Sequence, residues 1–209
     1  MSPTEVVAEA IKDLPALRNK LKDPLARLQR RARVDPRVRD QVQLIPYRSH
    51  AGNNWLVSVR ANKKMVCLIP FVYYHCPDGK LRAARICHPG LSMHFSGHML
   101  DQYFARFNRT AGKVERLKEF ILENMDIGVE RCLDNDEVRV GVKHGYIIGR
   151  WEVRDTIMQL TTFVDHGKLF QEQIEQMDRL DQQRCDSASS QRNQSPEYRT
   201  PWPSARSAA

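Results

Sequence analysis

The sequence predicts an α+β protein in which a curved antiparallel sheet packs against central helices, with a helical extension at the N-terminus. Three observations lead there. Helical and strand-like segments come in runs rather than in strict alternation, the pattern of an α+β layer architecture. Two blocks, 42–87 and 137–164, alternate apolar with polar or small residues between turn signals. Apolar residues at three- and four-residue spacing fill the N-terminal forty residues and the stretch between the two blocks.

Taken in order, Thr4 precedes an apolar-periodic stretch (Val6, Val7, Ala10, Ile11, Leu14) that predicts a short helix stopped by Pro15. A second helix is expected over 16–32, with Leu17, Leu21, Leu25 and Leu28 on one side and Pro24 as a weak point. Asp35 and Pro36 mark a break, so residues 1–40 form the extension. Strand texture follows: Trp55, Val57 and Val59 alternate, and the apolar run after Lys64 reads as a strand buried on both faces. Pro70 inside that run calls for a bulge or an edge. Asp78-Gly79 signals a two-residue turn, which predicts a hairpin of 72–76 with 81–86, Cys76 facing Leu81 and His75 facing Arg82.

Ser96 is a natural N-cap for a helix from Gly97 onward, and a second helix is expected over 113–124 with Val114, Leu117, Phe120 and Ile121 facing in. Strands return at Glu137, with a turn at His144-Gly145 and further strands over 146–151 and 156–164. A last helix is expected from near Asp165, carrying Leu169, Phe170, Ile174 and Met177. The α+β core then spans 41–184. Residues 185–209, rich in Ser, Gln, Pro and Arg with few apolar side chains, read as a disordered tail.

Composition narrows the function classes. The 209 residues are 41% hydrophobic and 28% charged, values of a globular protein. The longest apolar run, 65–74, is too short to span a bilayer, and the first residues lack the order of a signal peptide, so no membrane association and a cytoplasmic location are expected. Five cysteines at irregular spacing suit reduced thiols. The net charge of +8 is concentrated in residues 16–39, where nine Lys or Arg face two acids. Such an arm suits an acidic partner such as nucleic acid, and a solvated helix face is its commoner meaning.

The richest chemistry lies between Met93 and Arg109. On one helix, His98, Gln102, Arg106 and Arg109 fall within roughly 80° of one another, while Leu100, Tyr103, Phe104 and Phe107 form the apolar stripe. A histidine near the helix N-terminus, where the dipole favours the neutral base, and an arginine two turns on are suited to moving a proton and neutralising a phosphate. Metal-independent RNA cleavage needs that pairing. His94, Lys143 and His144 are further candidates for substrate contact, and Thr162, on a strand face with Met158, Leu160 and Val164, for an orienting donor. Four histidines and two cysteines between 75 and 98 invite a zinc reading, but the expected hairpin register separates Cys87 from Cys76 and the Ser96 cap leaves His94 in an extended segment. No metal and no cofactor are expected.

The set Ser96, His98, Tyr103, Arg106, Gly145, Gly149 and Thr162-Phe163-Val164 resembles the recurring core of a loose group of bacterial proteins common in gut Bacteroidetes and their mobile elements. The order of a His/Arg helix before a β-meander carrying a hydroxyl residue is also similar to phage-encoded nucleases of the barnase/RelE-like class. That resemblance implies metal-independent RNA cleavage of toxin or mobile-element type, with His98 as base or acid. Arg106 and Arg109 would be phosphate and transition-state ligands, and Tyr103 and Thr162 orienting donors. From a different class comes a non-catalytic nucleic-acid-binding or accessory protein, which would use the basic N-terminal helices to contact RNA, another nucleic acid or a protein partner.

Overall fold

The computed structural model describes residues 1–88, 91–107, 112–131, 136–168 and 178–186. Nine strands form one mixed sheet: β1 (Val42–Arg48), β2 (Asn54–Ala61), β3 (Val66–His75), β4 (Leu81–His88), β5 (Leu91–Phe95), β6 (Gly128–Arg131), β7 (Glu137–Val142), β8 (Gly145–Val153) and β9 (Ile157–Asp165). Their order across the sheet is β1-β2-β3-β4-β5-β9-β8-β7-β6. Two antiparallel meanders, β1–β5 and β6–β9, therefore meet at a single parallel junction, β5 beside β9. A parallel neighbour needs a crossover, and α2 (Gly97–Phe107) and α3 (Lys113–Glu123) lie in that connection. The fold is α+β with a curved, unclosed sheet.

The N-terminal segment forms one helix, α1 (Pro3–Val34), where two were expected. Ser2 caps it two residues earlier than Thr4, accepting from the Glu5 N–H while Glu5 accepts from the Ser2 N–H, a complete capping box. Pro15 and Pro24 sit inside the helix, each forfeiting a backbone bond at a cost of about 3 kcal/mol. What carries the helix across them is its apolar stripe. Residues 7, 10, 14, 17, 21, 25, 28 and 32 keep an unbroken three/four spacing through both prolines. That stripe packs against Trp55, Val57, Val59, Val72, Ala84 and Ile86 on one face of the sheet. Burial of each large apolar side chain is worth about 1.5–3 kcal/mol, enough in sum to override two local breaks.

The opposite face packs under α2 and α3: Leu56, Phe71, Phe95, Leu160 and Ile147 meet Leu100, Tyr103, Phe104, Leu117 and Phe120. Residues 178–186 are helical and include Cys185 and Asp186, which the sequence places in the tail. Leu180 of this stretch packs with Tyr146, its carbonyl lying so close to Gly128 that no side chain fits there and its Cβ leaving only a tight space at Gly141. The expected helix residues Leu169, Phe170, Ile174 and Met177, and residues 187–209, lie outside the described residues.

One register differs from expectation. In the β3–β4 hairpin His75 faces Leu81 and Tyr74 faces Arg82. Cys76 faces Lys80, with Gly79 at φ 74° closing a three-residue loop. A left-handed glycine after a tight turn is the geometry of a three-residue loop rather than a two-residue one. Pro70 sits where the β3–β4 ladder has ended, so its missing N–H removes no bond to β4.

Candidate functional site

The last turn of α2, the C-terminal end of α3, the β7–β8 turn and the end of β9 converge on one open depression. About 550 Å³ in volume, it is lined by Arg106, Phe107, His144, Asp165, His166 and Gly167. The sheet explains the convergence. Val142 pairs with Gly145, leaving Lys143 and His144 as a two-residue turn. Gly145 in turn pairs with Asp165, which sets His144 beside His166, and the His166 N–H donates to the His144 carbonyl at 3.2 Å.

Asn124, the C-cap of α3, fixes the turn to the helices. Its Oδ1 accepts from the Lys143 N–H at 2.7 Å, and its Nδ2 donates to the Phe120 carbonyl and to the Tyr103 hydroxyl. Tyr103 Oη in turn donates to Glu123 Oε2 at 3.1 Å. Burial, reinforced by that neighbouring carboxylate, pushes the Tyr103 phenol well up and keeps it protonated. Its role is to position Glu123, since the side chain is fully buried beneath the depression.

Glu123 is the hub. Lys143 Nζ lies 2.9 Å from Oε1 and His144 Nε2 lies 3.7 Å from Oε2. Partial burial raises the Glu123 pKa, but the Lys143 and Tyr103 hydrogen bonds and the Lys143 and His144 charges outweigh it, holding the carboxyl below its ordinary range. His144 is pushed below the ordinary histidine value, chiefly by partial burial and then by the positive charges of Lys143 and His166, against the pull of Glu123. At neutral pH the pair is thus a carboxylate beside a mainly neutral imidazole. The His144 ring stacks on Phe107 with centroids 4.6 Å apart and planes 9° from parallel. Arg106 reaches Asp165 Oδ2 at 2.8 Å, and its guanidinium carbon stands 5.7 Å from the Phe163 ring centre.

The sequence candidates separate into those the fold gathers and those it disperses. Tyr103, Arg106, Lys143 and His144 come together. Gln102 lies against β9, where its Oε1 accepts from the Phe163 N–H at 3.0 Å. His98 is exposed on the first turn of α2, about 12 Å along the helix axis from Arg106. The Ser96 cap behind it is as expected, its Oγ accepting from the Met99 N–H at 3.2 Å. Arg109 lies outside the described residues.

Thr162 is turned away by a bulge. Ile148 pairs with Thr162 and Gly149 with Leu160, so Thr161 is the extra residue. Beyond it the alternation flips: Phe163, not Thr162, shares the α2 face with Met158 and Leu160. Thr162 therefore sits on the face of Val164 and Leu180. His94 also occupies the other face, buried under α1 with 1% of its surface exposed and its Nε2 2.8 Å from the Tyr74 hydroxyl. Burial, helped by the Arg82 charge, lowers its pKa to about 4.

Sequence reasoning missed Glu123, Asn124, Asp165 and His166. Pairing the two expected strands around Gly145 brings His144 and His166 together, a signal that was present. Glu123 offered none, because only the packing of α3 on α2 aims it at the turn. Among the described residues, no group of three or more His, Cys, Asp or Glu is placed to hold a metal ion. No described helix is long and apolar enough to cross a membrane. No protein-family model matches the chain, and neither a curated protein nor a solved structure matches it.

Proposed function

We propose that the depression at the end of α2 binds single-stranded RNA and cleaves it by metal-independent transesterification. The observation that supports this is the company kept by one imidazole. His144, mainly neutral, is paired with the Glu123 carboxylate, flanked by Lys143, Arg106 and His166, and stacked on a partly exposed Phe107 ring. An exposed ring pair is a platform for an unpaired base, and sequence-tolerant stacking of this kind is how single strands are commonly held.

In this reading the scissile phosphate rests between Lys143 and Arg106. His144 takes the proton of the 2′-hydroxyl, the 2′-oxygen attacks phosphorus, and the bond from phosphorus to the 5′-oxygen breaks. His166 acts as the acid, giving a proton to that leaving oxygen, so the products are a 2′,3′-cyclic phosphate and a 5′-hydroxyl. Glu123 stabilises the imidazolium formed on His144, the orienting role a carboxylate plays for a general-base histidine. The two cations offset the charge that grows on the phosphorane.

Incubating the purified chain with a labelled single-stranded RNA in EDTA tests this. Cleavage ending in 2′,3′-cyclic phosphate is expected, falling about 10²–10⁴-fold in His144→Ala. Because the His144 pKa lies below the ordinary value, the acidic limb of the pH–rate profile should fall below pH 6.5. An inactive wild-type protein, or full activity in His144→Ala, overturns the reading.

A further inference from the structure

A second charged surface lies away from the depression, on the α1 side of the sheet. At about 100° per residue, Lys22, Gln29 and Arg33 fall within roughly 40° of one another on one flank of α1. Gln29 Nε2 donates to the Lys64 carbonyl at 3.3 Å, which draws the β2–β3 turn, with Lys63 and Lys64, onto that flank. Four cations from two distant parts of the sequence thus converge, and all four are exposed. Among the described residues no carboxylate pairs with any of them. The acids of α1 lie elsewhere: Glu5, Glu9 and Asp13 belong to its first half, and Asp23 lies about 100° around the helix from Lys22. The helix dipole accounts for Arg33, a basic residue in the last turn, but not for Lys22 or the two turn lysines.

We infer that this flank is a binding track for an RNA phosphate backbone. From Lys22 to Arg33 the helix rises about 16 Å, a length that spans two to three successive phosphates of an extended strand. The side chains are long, hydrated and without local acceptors, which suits sequence-independent neutralisation of a polyanion and release of its counterions. An acidic protein would need a shaped, partly apolar patch beside the charge. Lys22 and Arg33 on the helix and Lys63 and Lys64 on the turn instead form a bare charged surface.

The track is independent of the cleavage reading, and one experiment tells them apart. Fluorescence anisotropy of the full chain with a labelled single-stranded RNA whose 2′-hydroxyls are methylated, so that it cannot be cleaved, over a range of salt concentrations, reads the number of phosphate contacts from the slope of log affinity against log salt. Lys63→Gln/Lys64→Gln and Lys22→Gln/Arg33→Gln should each reduce that slope by about 1.4, two contacts at about 0.7 apiece. Arg150→Gln/Arg154→Gln, which removes two exposed cations from β8 and the turn after it, should leave the slope unchanged. Unaltered slopes in both track variants overturn the proposal. So does an equal reduction in the β8 control, or a wild-type chain with no RNA affinity. Circular dichroism of each variant confirms that the helix content has not moved, so that a lost slope reports charge rather than folding.

Discussion

The two ends of α2 carry similar residues and have different fates. At the first turn, His98 stands exposed, with the helix start already capped by Ser96. At the last turn, Tyr103, Arg106 and Phe107 meet Glu123, Asp165 and His144 from three other elements. His98 and Arg106 share one helical face, so its periodicity marks the two ends equally. What separates them is what the fold brings opposite. At the C-terminal end β9 and the β7–β8 turn close over the helix, so each polar side chain gains a fixed partner. Spacing on a helix nominates a face, and tertiary neighbours decide which part of it becomes a site.

The turn that makes this difference depends on Gly145. At φ 159° its backbone passes so near the Val164 carbonyl that a Cβ there would overlap it. Gly145→Ala should therefore push β8 off β9 and cost about 3–5 kcal/mol, a magnitude reserved for severe local clashes. Urea unfolding measures it. Gly52→Ala is the control, because Gly52 also has positive φ, at 87°, but faces open space. Its cost should stay near 1 kcal/mol, the strain of the left-handed region alone. Equal losses in the two variants would mean that the β7–β8 turn is not held against β9 as described.

The histidines sharpen the contrast further. His94, 1% exposed and with a pKa of about 4, binds its proton only after the unfolded chain has done so near 6.5. Its folded pKa is depressed, so stability is fully present above pH 6.5 and is lost as the pH falls toward 4. Converted at 1.36 kcal/mol for each pH unit, the loss is about 3 kcal/mol. Unfolding midpoints at pH 7 and pH 4.5 should differ far less in His94→Gln than in the wild-type chain. A wild-type midpoint that does not move would place His94 in water rather than beneath α1.

Most of the fold was legible because its causes are local: alternation for the strands, three/four spacing for the helices, Ser96 for a cap. The single α1 was legible in principle, since its stripe crosses both prolines unbroken, but proline chemistry argued locally for two helices. The site was only half legible. Lys143 and His144 announced a turn, and Arg106 and Tyr103 a face, yet the bulge at Thr161 left no mark in a run of five apolar and hydroxyl residues and turned Thr162 away. Asn124 was invisible as well, read as the end of a helix and nothing more. Its three hydrogen bonds tie α3 to α2 and to the turn. Asn124→Ala, which removes the buried amide and leaves the part-buried Lys143 N–H without its acceptor, should cost about 1–2 kcal/mol and weaken RNA cleavage with little change in track binding. A stability change without a cleavage change would separate the cap from the site.

The smallest effect is expected at the residue the sequence favoured most. His98 lies exposed on α2, about 12 Å along the axis from Arg106. Its neighbours on the helix, Met99 and Leu100, make the packing contacts of that turn, and the Ser96 cap bonds to backbone rather than to its ring. His98→Ala should therefore change stability by less than about 0.5 kcal/mol, as surface substitutions do, and should leave cleavage within twofold of wild type. The measurement belongs beside His144→Ala in the same assay. A large loss at His98 with little at His144 would move the chemistry to the first turn of α2 and reverse the contrast between its ends. The converse result ties it to the turn that β7 and β8 build.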